Sequence, residues 1–73
     1  MGTMAEDTTG ILAGLRPARN RAGVSQLDLA QDAGVGYRTV QNAEAGRVVS
    51  SRTLAKLANA LNVPAAALLE GER

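Results

Sequence analysis

Apolar residues recur along this chain at the three- and four-residue spacing of an amphipathic helix, in short segments separated by glycines. The first segment spans about residues 9–22, and its apolar positions are Ile11, Leu12, Leu15, Ala18 and Ala22. Gly23 is the expected stop of this helix. Pro17 lies inside the pattern and conflicts with it, because a proline inside a helix removes a backbone hydrogen bond. We expect the helix either to kink at Pro17 or to begin late with Pro17 in its first turn, and we favour the kink.

Two short helices follow. Ser25 and Asp28 fit a capping box at the start of the second, and Gly34 is its expected stop. The third is predicted at about residues 37–45, with Gly46 after it. Its apolar stripe is thin, so most of its surface is polar and must face away from the core.

The fourth helix has the clearest pattern of the chain. Ser51 is its expected cap and Asn62 its expected stop, and its apolar positions are Leu54, Leu57, Ala58 and Leu61. Pro64 is expected to open a fifth helix that runs through Leu69, with Gly71 ending the fold. The pattern predicts an all-α domain of five helices without strands over residues 9–71, after a disordered tail at residues 1–8.

Composition removes several kinds of site. The 73 residues include no Cys and no His, which excludes disulfides, thiolate zinc sites and imidazole bases. No apolar run approaches the roughly 20 residues of a membrane span. Between residues 10 and 69 there are seven cations and three anions, a modest basic bias of +4 that permits a phosphate-facing surface. We therefore expect a binding module rather than an enzyme, with no metal, cofactor or small-molecule substrate.

The spacing within residues 26–45 predicts a helix-turn-helix. Ala30, Gly34 and Val40 come four, eight and fourteen residues after Gln26. Two short helices joined by a tight turn cross at a steep angle, so a small residue is needed where they meet and a glycine where the chain turns. The second helix of the motif then projects its polar face outward.

The chain resembles the Xre-like helix-turn-helix domains of phage lambda repressor and Cro over roughly residues 11–71. The residues that carry the resemblance are Arg19, Ser25, Gln26, Leu29, Ala30, Gly34, Val35, Thr39, Val40, Glu44, Gly46, Leu54, Leu57, Ala58, Ala60, Leu61, Leu68 and Leu69. The resemblance implies a five-helix lambda-repressor-like DNA-binding domain whose third helix enters the major groove.

The resemblance also implies roles for individual residues. Tyr37, Arg38, Gln41 and Asn42 would contact bases, and Gln26, Thr39, Arg47 and Arg52 would contact phosphates. The chemistry fits independently, because Arg can bond guanine and Asn or Gln can bond adenine through two hydrogen bonds. Arg19 and Glu44 would form a structural ion pair, for which the alternative is a solvated Glu44.

We expect a sequence-specific regulator of transcription, a repressor, that binds double-stranded DNA as a homodimer on a palindromic operator, in the cytoplasm at the nucleoid. Two alternatives stay open. The polar face of the third helix can be an ordinary solvated face, and the same fold serves as an antitoxin-like or coactivator adapter that binds protein. The loop at residues 47–51, which carries one cation, favours the adapter.

Overall fold

A computed structural model of the protein describes residues 8–70 of the chain. In this part of the chain, five helices pack together beside a two-stranded antiparallel sheet. The elements in chain order are β1 (Thr8–Ile11), α1 (Leu15–Ala22), α2 (Gln26–Ala33), α3 (Tyr37–Glu44), β2 (Val48–Ser50), α4 (Ser51–Leu61) and α5 (Ala65–Glu70). The predicted five-helix fold is confirmed.

The expectation that the domain has no strand is wrong. Ile11 pairs with Val48 and Gly10 with Val49, and a bulge follows between Thr8 and Gly10. The β-branched side chains of β2 favour this conformation, and their inward and outward positions alternate, since Val49 is buried while Val48 is 53% exposed. Ile11 therefore belongs to a strand and lies on the surface, although its spacing placed it on the buried face of a helix.

The kinked first helix that we favoured is wrong, because the helix begins late. It starts at Leu15, so Pro17 is its third residue and lies in the first turn. A backbone N–H in the first turn has no partner inside the helix, so the proline costs no helical hydrogen bond there. Of the tail predicted for residues 1–8, residues 1–7 lie outside the described residues and Thr8 begins β1.

The predicted ends of the helices are confirmed where glycine or asparagine stops a helix. Gly23, Gly34 and Asn62 follow α1, α2 and α4 with φ of 74°, 72° and 59°. These are left-handed conformations, which glycine and asparagine adopt more easily than other residues. The stop predicted at Gly71 lies outside the described residues.

One of the two predicted caps is confirmed and the other is displaced by one residue. The Ser25 hydroxyl accepts a hydrogen bond from the backbone N–H of Asp28 at 3.0 Å, as a cap at the start of α2 should. At α4 the cap is Ser50, not Ser51, because the Ser50 hydroxyl accepts from the Thr53 N–H at 3.2 Å. Strand β2 thus runs directly into a capped helix.

Every helix contributes one fully buried large side chain to a single core. These residues are Leu15, Leu29, Val40, Leu57 and Leu68. Buried alanines fill the space between them, at Ala18, Ala30, Ala43 and Ala58. Small side chains allow the short helices to approach closely, and Leu12, Val49 and Leu54 complete the core.

Candidate nucleic-acid interface

Helices α2 and α3 form a helix-turn-helix through a three-residue turn. Gly34 supplies the left-handed conformation, and the N–H of Val35 then donates to the carbonyl of Ala30 at 3.0 Å. Ala30 is buried in the core, and Val35 packs partly buried against it. The turn fixes the direction in which α3 leaves α2.

Helix α3 has one buried face and one exposed polar face. Val40 and Ala43 are buried, and they hold the helix on the core. On the opposite side Arg38 and Gln41 are exposed, while Tyr37 is 46% exposed in the first turn and Asn42 is half-buried. The four residues predicted to contact bases are therefore adjacent on one helix, and three of them are open to solvent.

A network around Glu44 joins the end of α3 to α1 and to the start of α2. Arg19 donates from Nε to Glu44 Oε2 at 2.5 Å and from Nη2 to Oε1 at 3.1 Å. Its Nη1 donates to the carbonyl of Val24 at 2.9 Å. The Glu44 side chain is only 1% exposed, so its charge lies inside the protein and requires this partner.

The pKa of Glu44 reflects a competition between burial and hydrogen bonding. Burial raises the pKa of this carboxyl, but hydrogen bonds from Arg19, Gln26 and Arg16 together outweigh it and hold the pKa below its ordinary value. The same hydrogen bond to Glu44 raises the pKa of Arg19, against the opposite effect of burial. Both side chains are therefore charged at neutral pH. Their attraction helps to hold the end of α3 against α1.

The structure brings Arg19 and Glu44 together and adds two residues that sequence reasoning had assigned elsewhere. Gln26, predicted to contact phosphate, donates from Nε2 to Glu44 Oε1 at 3.0 Å. Arg16, for which the sequence favours a solvated cation over a phosphate contact, donates from Nε to the same oxygen at 3.3 Å. The sequence contains one indication of the Arg16 contact. Residues three apart share one face of a helix, so Arg16 lies on the same face of α1 as Arg19.

The other residues predicted to contact phosphates lie in the first turn of a helix or between two elements. Thr39 is half-buried in the first turn of α3, Arg47 is exposed between α3 and β2, and Arg52 is exposed in the first turn of α4. They lie outside the hydrogen bonds that surround Glu44. The hydrogen bonds around Glu44 therefore do not fix these three side chains, and their positions follow from the backbone that carries them.

Two further properties concern the whole of the described segment. None of its helices is both long enough and apolar enough to cross a membrane. Its acidic side chains form no group of three or more that could hold a metal ion.

Comparison with known proteins identifies the family. The helix-turn-helix family model matches residues 15–68, from the first residue of α1 into α5. The chain belongs to the helix-turn-helix family. The resemblance to Xre-like and lambda Cro-like domains is thereby confirmed, and this helix-turn-helix protein is a DNA-binding regulator of transcription rather than an enzyme.

A solved structure shows the same fold. It is the crystal structure of the restriction-modification controller protein C.AhdI from Aeromonas hydrophila. That protein is 38% identical to this helix-turn-helix chain, and the match covers 75% of this chain and 85% of that one with a TM-score of 0.72. Comparison with curated proteins found no match.

Proposed function

We propose that the protein is a transcriptional repressor that reads the sequence of double-stranded DNA with α3 in the major groove. The observation that carries this proposal is the division of α3 into a buried apolar face and an exposed polar one. Val40 and Ala43 pack α3 against the core, while Arg38 and Gln41 on its other face are exposed and can meet a partner. An α-helix fits the width of the major groove, where the edges of all four base pairs differ.

The side chains on the exposed face suit base recognition. Arg38 can donate two hydrogen bonds to the O6 and N7 atoms of guanine, and Gln41 or Asn42 can pair with the N6 and N7 atoms of adenine. Each such pair discriminates by about 1–3 kcal/mol against the wrong base. Tyr37, at the first turn of α3, is placed to contact a thymine methyl or a phosphate.

Contacts to phosphates would fix the register of α3 on the duplex. We assign them to Gln26, Thr39, Arg47 and Arg52, which lie at or near the ends of their elements. Gln26 is the first residue of α2, and the positive end of the helix dipole favours an anion there. Phosphate contacts of this kind position a protein on DNA without reading sequence.

One α3 contacts too few base pairs to single out one site in a genome, so we propose that two copies bind a palindromic operator. Half-sites one helical turn apart, about 34 Å, would match the twofold symmetry of such a dimer. The similarity to a restriction-modification controller supports a role in the control of bacterial genes. Such a repressor would act in the cytoplasm, at the nucleoid.

The test begins with selection of bound duplexes from a random pool by the full chain. A recurrent palindrome is expected. Arg38→Ala and Asn42→Ala should then reduce the preference for the selected duplex over an unrelated one, because each removes a base contact. Lys56→Ala is the matched control, since Lys56 is an exposed cation on α4, and it should leave the preference unchanged. Unchanged preference in Arg38→Ala and Asn42→Ala would refute their assignment.

The adapter hypothesis remains the second candidate, because residues 47–51 after α3 contain one cation, Arg47. An adapter would bind a protein and would gain little from phosphates. The affinity for random duplex separates the two candidates when it is measured at several salt concentrations. A DNA-binding regulator loses affinity steeply with salt, whereas a slope near zero would favour the adapter.

A further inference from the structure

Side chains from two helices converge on one oxygen atom at the end of α3. Glu44 Oε1 accepts hydrogen bonds from Arg16 Nε at 3.3 Å, from Arg19 Nη2 at 3.1 Å and from Gln26 Nε2 at 3.0 Å. Arg16 and Gln26 therefore lie side by side, although they belong to α1 and α2. The sequence predicts a phosphate contact for Gln26, and for Arg16 it favours a solvated cation, with a phosphate contact as the minor alternative.

The charge of Arg16 is not required to neutralise the buried carboxylate of Glu44. Arg19 is 14% exposed and already pairs with Glu44 through two hydrogen bonds. The three charged groups together carry +1, and the surplus charge lies on Arg16, whose side chain is 64% exposed. An ion pair this exposed contributes little to stability, so the folded state gives only a weak reason for an arginine here.

The hydrogen bond to Glu44 leaves most of the Arg16 guanidinium available. Arginine has five N–H donors, and only the one on Nε is directed at Glu44. The four donors on Nη1 and Nη2 form a planar edge that matches two oxygens of a phosphate. Because Nε is already held, the side chain loses less conformational freedom when it binds an anion than a free arginine would.

We propose that Arg16 is a phosphate-binding residue of the DNA interface, and that Glu44 positions it beside Gln26. Together they would hold the backbone of one strand where α1, the start of α2 and the end of α3 meet. This inference rests on the proposed DNA-binding function, and it adds a contact from α1 that the family resemblance did not assign.

The test is a salt titration of DNA binding by the full chain, on the selected duplex and on an unrelated one. Loss of one phosphate contact lowers the slope of log affinity against log salt by about 0.9. Arg16→Ala should show that change and weaken binding to both duplexes roughly threefold to tenfold at 0.15 M salt, a factor that follows from the same slope. The ratio between the duplexes should stay unchanged, because a phosphate contact reads no sequence.

Arg21→Ala is the matched control, because it removes the same charge from the same helix. Arg21 lines a groove with Leu61 and Val63, and its removal should leave the slope near that of the unchanged protein. Arg16→Gln is the second variant: it removes the charge and the guanidinium but keeps a polar side chain with N–H donors. If Arg16→Ala fails to fold, Arg16→Gln must show the loss of slope.

The outcomes separate this inference from the function on which it rests. If the unchanged protein binds with a steep slope and neither Arg16 variant lowers it, Arg16 binds no phosphate and the regulator proposal stands. If Arg21→Ala lowers the slope as much as Arg16→Ala does, the effect is one of total charge and the inference fails. A slope near zero in the unchanged protein refutes both proposals.

Discussion

Arg19 holds Glu44 through two hydrogen bonds, at 2.5 Å and 3.1 Å, although the two residues are 25 positions apart in the sequence. The contact ties the last residue of α3 to the middle of α1. Glu44 lies outside the exposed face that carries Arg38 and Gln41, so the contact orients α3 while these two side chains stay exposed. The pair therefore stabilises the orientation of α3, which we propose reads the DNA.

Removal of Arg19 should destabilise the protein considerably. Arg19→Ala leaves the buried charge of Glu44 with its weaker partners, Arg16 and Gln26. It also removes the hydrogen bond to the carbonyl of Val24. A buried pair broken from one side costs about 3–5 kcal/mol, and we expect the lower end because those partners remain. Urea unfolding followed by circular dichroism measures the loss.

Arg19→Lys is the informative control for this prediction. It keeps the charge but cannot donate to both oxygens of Glu44 and to Val24 with the geometry of a guanidinium. Its loss should be intermediate. If Arg19→Ala unfolds at the same urea concentration as the unchanged protein, the pair is not what holds α3.

Stability should fall in acid through Glu44. Its pKa in the folded protein lies below the ordinary carboxyl value of about 4.3, so the folded state favours the ionised form. That contribution is complete above the unfolded pKa and is lost as the pH falls through the folded one. We expect the free energy of unfolding to drop below about pH 5, and to drop less in Glu44→Gln. Parallel pH profiles for the two proteins would contradict this.

Much of the fold could be predicted from sequence because local signals decided it. Gly23, Gly34 and Asn62 mark the ends of helices whatever the rest of the chain does, since few residues tolerate a left-handed conformation. The sheet could not be predicted in the same way. Ile11 has the spacing of a helix, and only pairing with the distant Val48 makes it a strand residue.

In the candidate site, too, some features follow from local sequence and others depend on how the helices pack. The polar face of α3 follows from periodicity, because Val40 and Ala43 identify the buried side. The contacts of Gln26 and Arg16 with Glu44 depend on how three helices pack, which spacing within one helix does not specify. The family resemblance supplied the Arg19–Glu44 pair, but not the hydrogen bonds that Gln26 and Arg16 make to Glu44.

The cap of α4 provides a test that distinguishes two adjacent serines. Ser50→Ala should cost about 0.5–2 kcal/mol, because it removes the hydroxyl that accepts from the Thr53 N–H. Ser51→Ala should be close to neutral, since Ser51 is already inside the helix and exposed. Thermal unfolding of both variants measures the difference. A larger loss in Ser51→Ala would restore the boundary predicted from sequence.

The turn of the helix-turn-helix allows a test in which strain alone is changed. Gly34 has a φ of 72°, and a Cβ built there meets nothing within 4 Å. Gly34→Ala should therefore lose about 1–2 kcal/mol from the left-handed backbone, with no clash to add to it.

Gly36 lies two residues away with an ordinary φ of −72°, and its Cβ would make a normal contact of 3.7 Å with Thr39. Gly36→Ala should lose less than Gly34→Ala, because the poorer cap for α3 is offset by the reduced freedom of the unfolded chain. Equal losses in urea unfolding would mean that backbone strain does not set the turn.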